Sequence, residues 1–120
     1  MKILIVDDSK AMRMIVIRNL KQAGFDGHSF LEAANGAEGL KTILEAPPDL
    51  VLSDWNMPEM NGIDMLVELR KAGCQVKFGF VTSESTEDMR KRGLDAGALF
   101  MIAKPFTVDI FQKTLEGVIQ

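Results

Sequence analysis

Short runs of consecutive apolar residues recur along the chain at residues 3–6, 50–52, 78–81 and 99–103, each rich in branched or aromatic side chains. Runs of this kind read as strands covered on both faces. Residues 28–32 alternate polar and apolar positions instead, which predicts a strand buried on one side only, at a sheet edge. The intervening segments carry helical spacing. Residues 9–23 put Met12, Ile15, Val16, Leu20 and Ala23 on one face and Arg13 and Lys21 on others, until Gly24 stops the helix. Similar stripes run through residues 36–45 (Ala37, Leu40, Ile43, Leu44), 63–71 (Leu66, Leu69) and 107–119 (Phe111, Leu115, Val118). Residues 85–94 offer only Met89 and Leu94 as large apolar groups among Glu87, Asp88, Arg90, Lys91 and Arg92, so this helix is expected to be marginal and mobile. Five strands alternating with five helices in 120 residues leave room only for short loops. The fold class is therefore α/β, a parallel sheet between two layers of helices.

Composition narrows the classes of function. With 47% apolar and 26% charged residues the chain has the make-up of an ordinary globular protein. A net charge of -3 without any basic tract argues against nucleic acid or a membrane surface as partner. Cys74 is the single cysteine, which excludes an intramolecular disulfide or a cysteine metal cluster and suits a reducing cytosol. The run at residues 3–6 is too short for a signal peptide or a spanning helix. These features predict a soluble cytoplasmic protein, residues 1–120 forming one domain with no output domain attached.

In an open parallel sheet, ligands collect at the carboxyl ends of the strands near the point where strand order reverses. Here those ends carry Asp7-Asp8, Asp54, Thr82-Ser83 and Lys104-Pro105. One aspartate could serve as a helix cap. Two in succession facing a third would repel by a few kcal/mol per close pair at an effective dielectric of about 20. A divalent cation with oxygen ligands relieves that repulsion, and Mg²⁺ suits carboxylates, a carbonyl, waters and a phosphate oxygen. The same acids disfavour a nucleotide or flavin phosphate, which would need amides or hydroxyls at the first helix's start. Gly36-Ala37-Glu38-Gly39 lacks the leading glycine of a dinucleotide loop. Asp54 emerges from a buried strand, and a carboxylate so placed can accept a phosphoryl group when a metal and a cation flank it. Asp8, Thr82 and Lys104 match those supporting roles.

Asp7-Asp8, Asp54, Thr82-Ser83 and Lys104-Pro105-Phe106 together resemble the receiver domains of bacterial two-component response regulators, over essentially the whole chain. The segment from Asp54 to Gly62 is similar to that of the stand-alone, chemotaxis-type regulators. The resemblance implies a flavodoxin-like, CheY-like sandwich with strand order 2-1-3-4-5. It implies phosphorylation of Asp54 by a sensor histidine kinase, a histidine phosphotransfer protein or a small donor such as acetyl phosphate. Mg²⁺ would be held by Asp8 and Asp54, by the Asn56 backbone carbonyl, and by Asp7 through water. Lys104 would pair with the acids and then with a phosphoryl oxygen, and Thr82 would turn its hydroxyl toward another. Glu84 and Asn56 would tune dephosphorylation, and the Lys104–Pro105 bond would be cis. The aromatic switch residue of the family is replaced by Met101, with Phe100 pointing to the opposite face by strand alternation. Coupling from Thr82 to the output face is then expected to persist in altered form.

The implied protein is a switch and not a turnover enzyme, monomeric before phosphorylation. It would meet an unidentified partner through its fourth helix, fifth strand and fifth helix. A flagellar switch protein, a kinase or a phosphorelay histidine domain all remain open as that partner. An aspartate-nucleophile phosphatase would show D-x-D after the first strand, which Asp7-Asp8 is not. A module that no longer takes phosphate is at odds with intact Asp8, Asp54, Thr82 and Lys104. His28 reads as a surface group and Cys74 as unreactive. Met12, Met65 and Met89 read as core, and Trp55 as a partly exposed loop aromatic.

Overall fold

A computed structural model describes residues 1–119. The strands are β1 (Lys2–Val6), β2 (Ser29–Ala33), β3 (Leu50–Ser53), β4 (Lys77–Thr82) and β5 (Met101–Ala103). They alternate with α1 (Lys10–Leu20), α2 (Gly36–Glu45), α3 (Gly62–Lys71), α4 (Glu87–Asp95) and α5 (Val108–Ile119). All strand pairs are parallel, in the order β2-β1-β3-β4-β5. Both the architecture and the order agree with the expectation.

The continuous apolar runs follow from this layering. Leu4 and Val6 of β1 face α2 and α3 in one core with Ile43, Leu66, Leu69, Phe78 and Phe80. Ile3 and Ile5 face the opposite way, packing with Val16 and Leu20 of α1 and Phe111 and Leu115 of α5. A strand between two helical layers has no water-facing side, so alternation disappears from its sequence. At the sheet edge, β2 exposes three of its five residues and fully buries only Ala33, as its mixed pattern implies.

Several boundaries and faces differ from the sequence reading. The first helix ends at Leu20, and residues Lys21–Phe25 form a wider turn in which Gly24 adopts φ +103° and Ala23 and Phe25 remain buried. Ile15, assigned to the core face, is 41% exposed, whereas Ile17 packs inward. On α2, Ala37 and Leu44 are exposed, while Gly36, Gly39 and Ile43 are buried. A Cβ at Gly39 would press on Met65 and Val6. The helix thus approaches the sheet and α3 at Gly39, and the loop before α3 at Gly36, contacts that apolar counting overlooks. The fifth strand is shorter than residues 99–103, with Leu99 exposed and its amide donating to the Phe78 carbonyl. Met65 is fully buried, and Met12 and Met89 are half-buried against the two cores. In α4 only Gly93 is buried, so that helix has little apolar burial to hold it, as its composition indicates.

Gly79 sits inside β4 where a side chain would collide with the Phe100 ring. Substituting Gly79→Ala is expected to destabilise the protein by about 1–3 kcal/mol in urea unfolding, the usual penalty of overpacking. In a Phe100→Leu background the penalty should shrink, because the two residues share one space. Equal penalties in both backgrounds would show that the ring does not set the constraint.

Candidate functional site

The parallel register brings the strand ends to one edge. Val6 pairs with Ser53 and Thr82 with Ala103, so Asp7, Asp54 and Lys104 follow directly beyond the paired residues. Their amides continue the ladder: Asp7 donates to Ala33, Asp54 to Val6 and Lys104 to Thr82. The backbone is therefore held by the sheet up to the residues that carry charge.

Lys104 lies between two of the acids, its Nζ 3.2 Å from Asp7 Oδ2 and 3.3 Å from Asp54 Oδ2. The other oxygens accept backbone donors, Asp7 Oδ1 from Ser9 N–H at 2.9 Å and Asp54 Oδ1 from Trp55 N–H at 2.7 Å. Asp8 is exposed and makes no side-chain hydrogen bond or ion pair among the described residues. One carboxylate oxygen from each of Asp7, Asp8 and Asp54 lies within 4.8 Å of the other two. Helix capping does not account for the pair of aspartates. Ser9 caps α1, its Oγ accepting the Met12 amide at 3.2 Å.

Three carboxylates and one ammonium leave two negative charges in excess when all are ionised. Asp7 is the most buried of the three, only 4% exposed. Burial raises its pKa above the usual carboxylate value, and the neighbouring Asp54 charge adds to the rise; the Ser9 amide and Lys104 oppose it. The donor set is all oxygen, with net charge opposite to that of a small divalent cation, and so fits Mg²⁺. These three aspartates could hold such an ion.

The remaining residues singled out in the sequence surround this group without bonding to it. Thr82 is fully buried, and its Oγ1 accepts the Glu84 amide at 3.4 Å. Asn56 is exposed just beyond Trp55, and Glu84 is exposed at the end of β4. Met101 is half-buried on the α4 side of the sheet, where its Sδ accepts Ser85 Oγ–H at 3.4 Å. Arg90 of α4 in turn donates to Ser85 Oγ at 3.3 Å. Phe100 faces the α1 and α5 side, as alternation requires. Beside Met101 a cavity of about 320 Å³ opens between α4 and α5, lined also by Phe80, Leu94, Leu99 and Thr114. The Lys104–Pro105 bond is cis.

Two residues are more buried than expected. Trp55 lies in the loop after β3 as expected, but it is buried, 5% exposed, and not partly exposed. Its ring packs 4.8 Å from Phe80 with Arg92 of α4 above it at 5.6 Å, because the loop after β3 folds back under α4. Arg13, placed off the core face, has a side chain only 12% exposed and donates Nη1–H to the Asp7 carbonyl at 2.6 Å. Helical spacing gives no sign of such a contact. His28 lies at the opposite end of the sheet, stacked on Phe25, and Cys74 is half-buried beyond α3.

A carboxyl whose pKa is raised on folding supports the folded state while protonated, below its unfolded value, and loses that contribution as pH rises through the folded value. Ionised Asp7 therefore weighs against folding at neutral pH. With divalent ions chelated, Asp7→Asn is expected to melt above the parent protein at pH 7. The gap should close as pH falls through the ordinary carboxylate range, where the parent's Asp7 is also neutral. A gap that widens on acidification would contradict the assignment.

The comparisons with known proteins agree with this geometry. The sequence profile of the response regulator receiver domain matches residues 3–116. A probable chemotaxis protein CheY of Rhizobium etli is 35% identical over 119 residues, covering 98% of this chain and 91% of that protein. CheY of Bacillus subtilis is 38% identical over 108 residues, covering 90% and 88%. Among solved structures, Vibrio cholerae CheY4 superposes with a TM-score of 0.84 at 32% identity, covering 98% of this chain and 97% of that one. With the acids, the lysine and the sheet order already in place, the chain belongs to the response regulator receiver domain family, as a CheY-type receiver of a two-component system.

Proposed function

We propose that Asp54 is the phosphoryl acceptor of a Mg²⁺-dependent switch, fed by a sensor histidine kinase or a histidine phosphotransfer protein and also by small donors such as acetyl phosphate. The observation that carries this reading is the Lys104 ammonium shared between Asp7 and Asp54 beside an unpaired Asp8. Asp8, Asp54 and the Asn56 carbonyl would hold the metal directly, and Asp7 would do so through water. When bound, the ion supplies charge neutralisation to the phosphoryl oxygens during transfer.

The chain's own groups do the rest. A carboxylate oxygen of Asp54 attacks phosphorus in line while the donor's P–N or P–O bond breaks, and imidazole or acetate leaves with the bonding pair. Lys104 moves from Asp54 to a phosphoryl oxygen, and the Thr82 hydroxyl donates to another. Water attack on phosphorus later returns free phosphate and Asp54, with Asn56 and Glu84 shaping its access. Once Thr82 turns inward, the Glu84 amide loses its acceptor, and the shift reaches Ser85, Met101 and α4. That face, α4 with β5 and α5, is the one we assign to a protein partner. The chemotaxis names of the relatives favour a motility pathway. The fold and charge balance suit a cytoplasmic protein that needs neither nucleic acid nor membrane.

Incubation with acetyl phosphate and Mg²⁺ is expected to add one phosphoryl group by intact mass, with loss of the adduct in Asp54→Asn and in chelator. Lys104→Ala should slow formation by at least about tenfold, a typical loss for a charge-stabilising group. An adduct that survives Asp54→Asn would remove Asp54 from its role, and sustained turnover of an aryl phosphate would point to a phosphatase.

A further inference from the structure

We propose that Arg13 is a positioning residue that aims Asp8 at the metal, an inference that rests on the Mg²⁺ reading above. Asp8 is exposed, and no side-chain bond fixes its carboxylate among the described residues, so its direction is set by its two flanking peptides. Both are clamped. The Asp7–Asp8 peptide is held at its carbonyl, which accepts Arg13 Nη1–H at 2.6 Å. The Asp8–Ser9 peptide is held at its N–H, which donates to Asp7 Oδ1 at 2.9 Å. The second clamp belongs to the acid group itself; the first comes from a side chain one turn into α1.

Arg13 is itself anchored. Its Nε donates to Glu32 Oε1 of β2 at 2.9 Å. One planar guanidinium thus ties α1, the loop after β1 and the edge strand together, a geometry that a single ammonium cannot reproduce, because it would satisfy one acceptor at a time. Groups that orient a metal ligand without touching the ion commonly change metal affinity by about 10–100-fold when removed.

The sign of the effect separates positioning from charge. As a cation near the acids, Arg13 repels Mg²⁺, so removing it should tighten binding if charge were its only influence. Positioning requires the reverse. Calorimetric titration of the phosphate-free protein with Mg²⁺ is expected to show about tenfold weaker binding in Arg13→Gln and a smaller loss in Arg13→Lys. In acetyl phosphate kinetics, both variants should need more Mg²⁺ for half-saturation yet reach the parent plateau within about twofold, which generalised damage to the fold would not preserve.

Weakening by about threefold or more with the plateau kept supports the proposal, and Arg13→Lys decides alone by the same threshold if Arg13→Gln does not fold. Unchanged or tighter Mg²⁺ binding, or a lowered plateau at saturating Mg²⁺, overturns it. If the parent protein itself takes up no Mg²⁺, the metal reading falls and this inference with it. If the parent binds and the variants match it, only the role of Arg13 falls.

Discussion

Three carboxylates gathered at one edge of the sheet repel one another, and a single ammonium offsets only part of that repulsion. Each close like-charged pair costs a few kcal/mol at an effective dielectric of about 20, and Asp7 bears in addition the burial that raises its pKa. The sheet must hold the group together against this cost, and it does so through the ladder bonds that run up to Asp7, Asp54 and Lys104. The two dense cores supply the stability that the acid edge spends. An arrangement so poorly balanced by itself is one that a cation could neutralise, as the proposed function requires.

The fold also determines which parts can respond. Most helices lay several large side chains against the sheet, but α4 buries only Gly93, next to Phe80 and Trp55. Trp55 is unusual in touching both ends of the route: its amide donates to Asp54, and its ring lies beneath Arg92 of α4. A second line runs from Thr82 through the Glu84 amide to Ser85, Met101 and Arg90. Weak burial lowers the free-energy gap between alternative placements of α4, which is the property a switching element needs. Met101 stands where the resemblance implies an aromatic residue, and its own contacts connect these parts differently. A thioether that accepts a hydroxyl and borders a cavity can shift without a ring flip.

Much of this was legible in the sequence for a physical reason. A parallel sheet covered on both faces needs continuous apolar strands, and the residue immediately after each strand is where chemistry can begin. Asp7, Asp54 and Lys104 therefore stand out as a group in the sequence alone. What sequence periodicity missed were contacts defined by the partner. Leu44 and Ile15 carry apolar side chains that stay exposed, while Gly36 and Gly39 carry none and yet are buried. Trp55 opens an exposed-looking loop, and only the return of that loop beneath α4 buries it. Arg13 reads as a solvent-facing charge until its two acceptors, from the loop after β1 and from β2, are seen on either side.

The exposed acid is the part whose orientation matters most and whose own bonds explain it least. Asp7 and Asp54 each have both oxygens engaged, so their directions survive small movements of the backbone. Asp8 has only the conformation of its neighbours. A ligand left free in this way keeps its lone pairs available, and avoids the desolvation that burial imposes on Asp7, but gives up preorganisation unless the flanking peptides are rigid. Clamping those peptides from outside the acid group resolves the conflict, because a bond to the main chain restricts the side chain's origin without occupying its oxygens. The geometry around residues 7–9 is of this kind, with Arg13 holding one peptide and Asp7 the other. Under the proposed reading, a residue remote from the reacting atoms would enter the function through the position of a backbone carbonyl.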